Sequence, residues 1–123
     1  MLCSVLIPSR KRVDRLWKTI GSVLTTAAHP EQVEVIIRAD DDDPDTIKSW
    51  ASGPQEGWIR SNVHLHVGPR MRGYPDLHKM YEEMKAFAKG KWLWVFNDDA
   101  VIGADGTRRP IDGRHGLAVG LVL

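Results

Sequence analysis

Short apolar runs alternate along this chain with longer segments that have helical periodicity. The runs are rich in β-branched and aromatic residues and predict strands, whereas the segments between them place apolar residues at helical spacing. The predicted strands are residues 2–7, 33–39, 63–67 and 92–96, and the predicted helices are residues 13–27, 44–51 and 75–89. This alternation predicts an α/β fold with a Rossmann-like, mainly parallel sheet and flanking helices.

The last predicted strand carries one further expectation. Its aromatic residues alternate with aliphatic ones, so both of its faces are apolar. That pattern is typical of a central strand that is covered on both sides. We therefore predict that this strand lies inside the sheet and that Trp92 and Trp94 belong to the core, as do Trp17 and Trp50.

Composition and charge are those of a single globular domain. The chain has 123 residues, 42% of them hydrophobic, and its 17 basic and 16 acidic residues leave a net charge of +1. This balance gives no reason to expect a nucleic acid as partner. The single cysteine, Cys3, excludes an internal disulfide and is predicted to be buried. We expect residues 1–102 to form the α/β core and residues 103–123 to add a loop and a possible terminal strand.

The sequence predicts neither a membrane span nor a secretion signal. No apolar run approaches the roughly 18 residues that a transmembrane helix needs. The N-terminus lacks a basic segment ahead of a long apolar region, so no signal peptide is expected. We therefore expect a cytoplasmic protein. The apolar residues 117–123 suggest that copies of the chain could associate into a homo-oligomer.

Charged and polar residues follow every predicted strand. The first strand is followed by Pro8, Ser9 and Arg10, the second by the acidic run from Asp40 through Asp41 to Asp43, the third by Gly68 to Gly73 with Arg70 and Arg72, and the fourth by Asn97, Asp98 and Asp99. Parallel strands end at the same edge of a sheet, and α/β proteins bind their ligands outside that edge. We therefore predict that two acidic and two basic clusters converge on one ligand site.

The last of these clusters suits a divalent cation. Asp98 and Asp99 are adjacent carboxylates at the end of an apolar strand, where they repel each other and lose hydration. A cation such as Mg²⁺ or Mn²⁺ resolves both costs, since hard cations prefer oxygen ligands. The alternative is a solvated turn, because Asn and Asp are also ordinary turn residues. Together with Arg70 and Arg72, a cation would suit an anionic ligand such as a diphosphate.

Two other features have simpler interpretations. Asp43 precedes Pro44 and is predicted to cap a helix, since Asp is favoured at the N-cap and Pro at the first helical position. His64 and His66 share one face of a predicted strand, but no Cys or third His has the spacing of a zinc site. We therefore expect these histidines to pack against other side chains or to lie at the surface.

Four segments match, in order, the motifs of a known enzyme family. Residues 4–12 match an opening strand with a Pro-Thr-x-Asn-Arg loop, and residues 35–46 match a second strand with an Asp-Asp-Gly-Ser-x-Asp-x-Thr segment. Residues 74–88 match a helix that leads through an Ala-x-Gly step into a motif strand, and residues 96–100 match an Asp-x-Asp motif. Over residues 3–102 the chain thus resembles the nucleotide-sugar glycosyltransferases of the GT-A fold, particularly family 2.

The resemblance implies a nucleoside pocket at the first two strand ends. Pro8, Ser9 and Arg10 match the residues that line this pocket in the family. Asp40 or Asp41 matches the aspartate that contacts the base, which is usually uracil. The implied donor is therefore a nucleotide sugar, and a UDP-sugar in particular.

The resemblance also implies a cation and a reaction. Asp99 matches the metal ligand at the end of the Asp-x-Asp motif, and Asn97 or Asp98 would lie near the ribose and the diphosphate. The implied cofactor is Mn²⁺ or Mg²⁺, which neutralises the departing diphosphate during glycosyl transfer. Neither the sugar nor the acceptor follows from these residues.

The chain also departs from the family pattern. Asn97 replaces the first Asp of the motif, and Asp42 and Asp43 replace Gly-Ser. No residue matches the catalytic base of the family's downstream, acceptor-binding half; Asp105 and Asp112 are candidates by location only. The resemblance therefore implies the donor-binding half of such an enzyme. The alternative is a non-catalytic nucleotide-binding or oligomerising half-domain.

Overall fold

The computed structural model describes residues 2–52, 62–96, 100–102 and 108–110, with Tyr74 and the last two ranges described by their backbone alone. The strands of the main sheet are β1 (Cys3–Ser9), β2 (Val33–Asp40), β3 (Val63–Gly68) and β4 (Trp92–Val95). The helices are α1 (Val13–Thr26), α2 (Pro44–Ser52) and α3 (Leu77–Lys85). A short antiparallel hairpin follows, formed by β5 (Ala100–Ile102) and β6 (Arg108–Pro110).

The main sheet is parallel throughout, with the strand order β3-β2-β1-β4. This arrangement confirms the predicted Rossmann-like α/β fold. In the register of the sheet, Ser9 lies opposite Ala39, and Asp40 lies opposite Gly68. The carboxyl ends of β1, β2 and β3 therefore meet at one edge, and the loops that follow them lie side by side.

Each face of the sheet packs on helices. One face contacts α1, and its buried residues include Val5, Ile7, Leu16, Ile20, Val35 and Ile37. The opposite face contacts α3, and its buried residues are Leu6, Ile36, Met80 and Met84. β1 is thus covered on both sides, as its apolar sequence predicts. Cys3 is buried, and this burial raises the pKa of its thiol to about 11.

The predicted central position of the last strand is wrong for the described residues. β4 pairs with β1 and stands at the end of the strand order. Trp92 is 69% exposed, and Leu93 and Val95 are also exposed, whereas Phe96 is buried. Apolar residues on both faces of a strand report its preference for burial, but they do not determine its place in the sheet.

The third helix is shorter than predicted and ends at Lys85 instead of residue 89. Beyond it, the N–H groups of Phe87 and Ala88 donate to carbonyls three residues earlier, which tightens the chain into turns. The N–H of Lys89 then donates to the Glu34 carboxylate at 2.6 Å. A side chain of the sheet therefore takes a backbone donor that a longer helix would have used.

Other predictions concern residues outside the described ranges. The possible terminal strand at residues 117–123 lies there, and so do Asp105 and Asp112. In the described ranges, no helix combines the length and the apolar character needed to cross a bilayer.

Candidate functional site

The carboxyl edge of the sheet brings together residues from three separate strand ends. Arg10 follows β1, Asp40 ends β2, and Arg70 and Met71 belong to the loop after β3. Arg10 Nη1 lies 2.9 Å from Asp40 Oδ2, and the Met71 N–H donates to Asp40 Oδ1 at 3.2 Å. The convergence follows from the parallel sheet, because all three loops leave it on the same side.

Asp40 is a buried carboxylate surrounded by donors. Its Oδ1 atom accepts from Arg38 Nη1 and from the Met71 N–H, and its Oδ2 atom accepts from Arg10. A buried carboxylate is costly unless cations and hydrogen bonds compensate for its lost hydration. Two guanidinium groups supply that compensation here, so both oxygens of Asp40 already have partners within the protein.

Arg38 lies beneath the site and was not predicted as part of it. Its side chain is 1% exposed, on the same face of β2 as Asp40. Arg38 Nε donates to Glu83 of α3 at 3.0 Å, and Nη2 donates to the Pro69 carbonyl at 2.6 Å. Arg38 therefore joins α3, β2 and the loop after β3. The sequence carries one signal of this role, a cation inside the run from Val35 to Ala39 that is otherwise apolar.

Gly68 makes room for this buried arginine. A Cβ atom at this position would lie 2.6 Å from Arg38 Nη2 and 2.7 Å from Glu83 Oε1. Glu83 also contacts His66, with 3.2 Å between His66 Nε2 and Glu83 Oε1. A larger residue at position 68 would displace the ion pair that supports Asp40.

Asp43 caps α2, as predicted, and also shapes the loop after β1. Its carboxylate accepts from the Thr46 N–H at 3.5 Å and from the Thr46 hydroxyl at 2.6 Å. It also accepts from the Lys11 N–H at 2.8 Å. Lys11 has a φ of 53°, in the left-handed region that non-glycine residues rarely adopt. The bond to Asp43 stabilises this conformation and fixes the backbone next to Arg10.

Arg10, Asp42 and Arg70 form an ion-pair chain at the mouth of the site. Arg10 Nη2 donates to Asp42 Oδ2 at 3.1 Å, and Arg10 Nη1 also bonds Asp42 Oδ1. Arg70 Nη1 lies 3.6 Å from Asp42 Oδ2. The hydrogen bond from Arg10 lowers the pKa of Asp42, and the same contact raises the pKa of Arg10. Asp42 is therefore an anion at neutral pH.

Arg72 has its own carboxylate partner. Its Nε and Nη2 atoms donate to Asp76 at 3.1 and 2.9 Å, and its backbone N–H donates to Asp76 Oδ2 at 2.9 Å. These bonds lower the pKa of Asp76 and raise that of Arg72. Gly73, with a φ of +90°, provides the turn between the two residues. The pair holds the loop against the start of α3.

A cleft of about 410 Å³ opens between these loops. It is lined by Arg10, Arg70, Met71, Arg72 and Gly73. Three of these five residues carry a positive charge, and the two others bring backbone and an apolar side chain. Such a lining suits an anionic ligand with an apolar or planar part.

The remaining predicted residues occupy different positions. Pro8 and Ser9 are the last residues of β1 and lie in the strand, half-buried and buried respectively. Asp41 is exposed, and its N–H donates to the Gly68 carbonyl at 2.8 Å. Asn97, Asp98 and Asp99 lie outside the described residues.

The described residues contain no group of three or more His, Cys, Asp or Glu side chains that could hold a metal ion. The oxygens of Asp40 face arginines and a backbone N–H, which is an anion's environment and not a cation's. Phe96, the last residue described before the Asp-x-Asp-like motif, is buried, and its N–H donates to the Leu6 carbonyl at 3.0 Å. Carboxylates that follow Phe96 have the oxygen chemistry that Mg²⁺ or Mn²⁺ requires.

Comparisons with known proteins show the fold. No protein-family model matches the chain, and no curated protein matches it. Among solved structures it is similar to residues 1–349 of S. aureus TarS, with a TM-score of 0.62 and 16% identity over 85% of this chain and 29% of that one. The same TarS fragment in complex with UDP gives a TM-score of 0.61 and 17% identity. A longer TarS structure gives 0.62 and 16%, covering 86% of this chain and 18% of TarS.

These similarities confirm the α/β fold that the sequence predicts. At such identities they do not assign the chain to a particular family. The chain spans less than a third of the length of the TarS structures that it matches.

Proposed function

We propose that this chain is the donor-binding part of a glycosyltransferase and that it binds a nucleotide sugar in the cleft lined by Arg10, Arg70 and Arg72. The observation that carries the proposal is the position of this cationic cleft at the carboxyl edge of a parallel sheet, where α/β proteins bind nucleotides. The fold shared with TarS in complex with UDP supports UDP as the nucleotide. The activity of a whole enzyme is part of the proposal, because the chain covers 29% of that TarS structure.

The arginines of the cleft have different parts in this proposal. Arg10 and Arg70 reach the cleft from two loops and donate charge-assisted hydrogen bonds to the diphosphate. Arg72 adds positive charge, but its guanidinium fork is engaged by Asp76. It therefore shapes the loop and contributes to the field in the cleft more than to direct contacts.

The nucleoside lies against the ends of β1 and β2 in this proposal. Pro8 and Ser9 form the wall of the pocket that the resemblance assigns to them. Of the two aspartates that could contact the base, Asp40 already has protein partners on both oxygens. Asp41 is exposed and has a carboxylate that can accept from a base N–H. We therefore assign the base contact to Asp41.

The cation of the proposal is Mn²⁺ or Mg²⁺, held by Asp99 with Asn97 or Asp98 close to the diphosphate. Such a cation supplies electrostatic neutralisation of the leaving diphosphate when it is bound. Inverting transfer also needs a general base for the acceptor hydroxyl. We assign neither that base nor the acceptor to any described residue.

One observation supports a second candidate function, an oligomerising half-domain. β4 ends the described strand order and leaves Trp92, Leu93 and Val95 exposed along it. Apolar edge strands invite pairing with another chain. Sedimentation analysis at increasing protein concentration tests this function, and a strict monomer at the highest concentration contradicts it.

The experiment for the proposed function is calorimetric titration of UDP into the chain with and without Mn²⁺. We expect Mn²⁺-dependent binding in the wild type and in Glu31→Ala, which removes an exposed carboxylate before β2, away from the cleft. Asp99→Ala should bind UDP only as weakly as the wild type does without metal. Equal UDP affinity with and without Mn²⁺ would remove the role of Asp99 but keep the cleft. No binding of any nucleoside diphosphate would contradict the proposal as a whole.

A further inference from the structure

Asp42 occupies a position between the two arginines that reach the cleft mouth. Its Oδ2 atom lies 3.1 Å from Arg10 Nη2 and 3.6 Å from Arg70 Nη1, and its Oδ1 atom bonds Arg10 Nη1. Both of these arginines line the cleft, whereas Asp42 itself does not. A carboxylate therefore takes the bidentate position on Arg10 that would otherwise be available to a ligand.

The free donors of Arg10 are few while Asp42 stays in place. Its Nη1 atom donates to both Asp40 and Asp42, and its Nη2 atom donates to Asp42. Asp40 is buried and fixed by Arg38, so its hydrogen bond with Arg10 stays in place. Asp42 is the partner that can leave, because its side chain is 41% exposed on a turn.

The backbone of that turn does not have to move for Asp42 to leave. The Asp43 N–H donates to the Asp40 carbonyl at 3.1 Å, and the Asp43 side chain is buried on Thr46 and Lys11. Both neighbours of the turn are therefore anchored. Rotation of the Asp42 side chain alone would release its contacts with Arg10 and Arg70, at the cost of one exposed ion-pair chain.

We infer that Asp42 is an internal anion that the phosphates of the ligand displace, and that it thereby sets the affinity of the cleft for diphosphates. This inference rests on the proposed function, since it takes the diphosphate of a nucleotide sugar as the displacing group. A diphosphate carries more charge and more acceptor oxygens than a carboxylate, so it is the stronger partner for both arginines. An Asp42 that stayed in place would repel it.

Asp42 is a departure from the family motif that residues 35–46 resemble. It stands where the resembled motif has glycine, which has no side chain that could compete. The competition therefore distinguishes this chain's cleft from one built on the motif itself. It predicts that removing the charge of Asp42 strengthens phosphate binding, whereas removing a residue that contacts the ligand would weaken it.

The test is calorimetric titration of UDP, inorganic pyrophosphate and uridine into the wild type and Asp42→Asn. We expect Asp42→Asn to bind UDP and pyrophosphate about two- to fivefold more tightly, the range that exposed ion pairs can supply. Uridine affinity should not change, because uridine has no phosphate. Asp45→Asn is the matched control, since it makes the same change of net charge at an exposed position three residues away. Asp42→Glu keeps the charge and should bind pyrophosphate almost as the wild type does.

The outcomes separate this inference from the proposed function. Unchanged or weaker UDP and pyrophosphate binding by Asp42→Asn overturns the inference, while UDP binding by the wild type keeps the function. An equal gain in Asp45→Asn also overturns it, because the effect would then be one of net charge. Tighter pyrophosphate binding without any UDP binding supports the inference and contradicts the function. No binding of either phosphate by any variant contradicts both.

Discussion

Two buried polar clusters lie on the same face of β2, one at each end of the strand, and they differ in what they reach. We call them the Glu34 cluster, made of Glu34, Ser4 and the backbone N–H groups of Lys89 and Gly90, and the Arg38 cluster, made of Arg38, Asp40, Glu83 and Arg10. On the face of the sheet that packs on α3, both replace apolar contacts with hydrogen bonds and charge. Only the Arg38 cluster shares a member with the cleft.

The Glu34 cluster makes its hydrogen bonds among its own members. Ser4 Oγ and the Lys89 N–H donate to Glu34 Oε2 at 2.5 and 2.6 Å, and the Gly90 N–H donates to Ser4 Oγ at 2.8 Å. His64 Nε2 lies 3.6 Å from the other oxygen of Glu34. The cluster joins the segment after α3 to the sheet. A Cβ on Gly90 would lie 2.5 Å from the Ser4 backbone nitrogen, so this approach requires glycine.

The Arg38 cluster continues outward instead. Arg38 fixes Asp40, Asp40 holds Arg10, and Arg10 reaches the cleft and Asp42. Every buried side-chain nitrogen and oxygen in the described part of the chain has a hydrogen-bond partner, so both clusters are internally satisfied. The difference teaches that a complete set of hydrogen bonds does not by itself show that a buried polar cluster serves only the fold. A buried ion pair that ends at a cationic cleft can also hold a side chain that contacts a ligand.

The largest effect is expected from Arg38→Met, which removes the centre of the Arg38 cluster. Asp40 and Glu83 would lose their buried cation, and breaking a buried ion pair costs about 3–5 kcal/mol. Urea denaturation should show this loss in the free energy of unfolding. UDP affinity should fall as well, measured under conditions where the variant is folded.

Lys48→Met is the matched control for Arg38→Met. It removes an exposed cation of α2 and should change stability by less than about 0.5 kcal/mol. A similarly small effect of Arg38→Met would mean that the Arg38 cluster does not support the fold as described.

A smaller effect is expected from Glu34→Gln in the Glu34 cluster. The amide oxygen can still accept from Ser4 and Lys89, but the loss of the negative charge weakens these bonds, which should cost about 1–3 kcal/mol of stability. UDP affinity of the folded variant should stay that of the wild type, because the cluster does not reach the cleft. Urea denaturation and UDP titration measure the two quantities. A parallel loss of UDP affinity would break the distinction between the clusters.

The smallest effect is expected from Asp76→Asn at the border of the Arg38 cluster. Arg72 and Asp76 hold the loop whose Pro69 carbonyl accepts from Arg38. Because Arg72 lowers the pKa of Asp76 in the folded chain, the pair stabilises the fold above the unfolded pKa of about 4. This stabilisation is lost as the pH falls further, through the folded pKa.

Urea midpoints of the wild type and Asp76→Asn at pH 7 and pH 3 measure this dependence. The wild type should be more stable at pH 7, and the difference should be smaller at pH 3. The same difference at both pH values would show that charge does not contribute. Glu82→Gln on the exposed side of α3 is the control, and it should show little difference at either pH.

The sequence predicted the local parts of the site better than their connections. Asp43 was correctly predicted as a helix cap, because a cap depends on residues three positions away. The sequence predicts no role for Arg38 of β2, because its partners Glu83 and Pro69 are distant along the chain. Asp42 was noted as a departure from the motif, but its contact with Arg70 depends on the position of another loop.

The sequence by itself determined the alternation of strands and helices, the burial of β1 and the edge at which the charged loops emerge, because periodicity and strand direction are local properties. Tertiary structure decided the rest. It placed β4 at the end of the described sheet although its sequence suits a central strand. It also directed Asp40 inward to Arg38 and Arg10, and Asp42 outward to a position between Arg10 and Arg70. Those outcomes depend on which distant groups meet when the sheet closes on α3, and residue spacing does not encode such contacts.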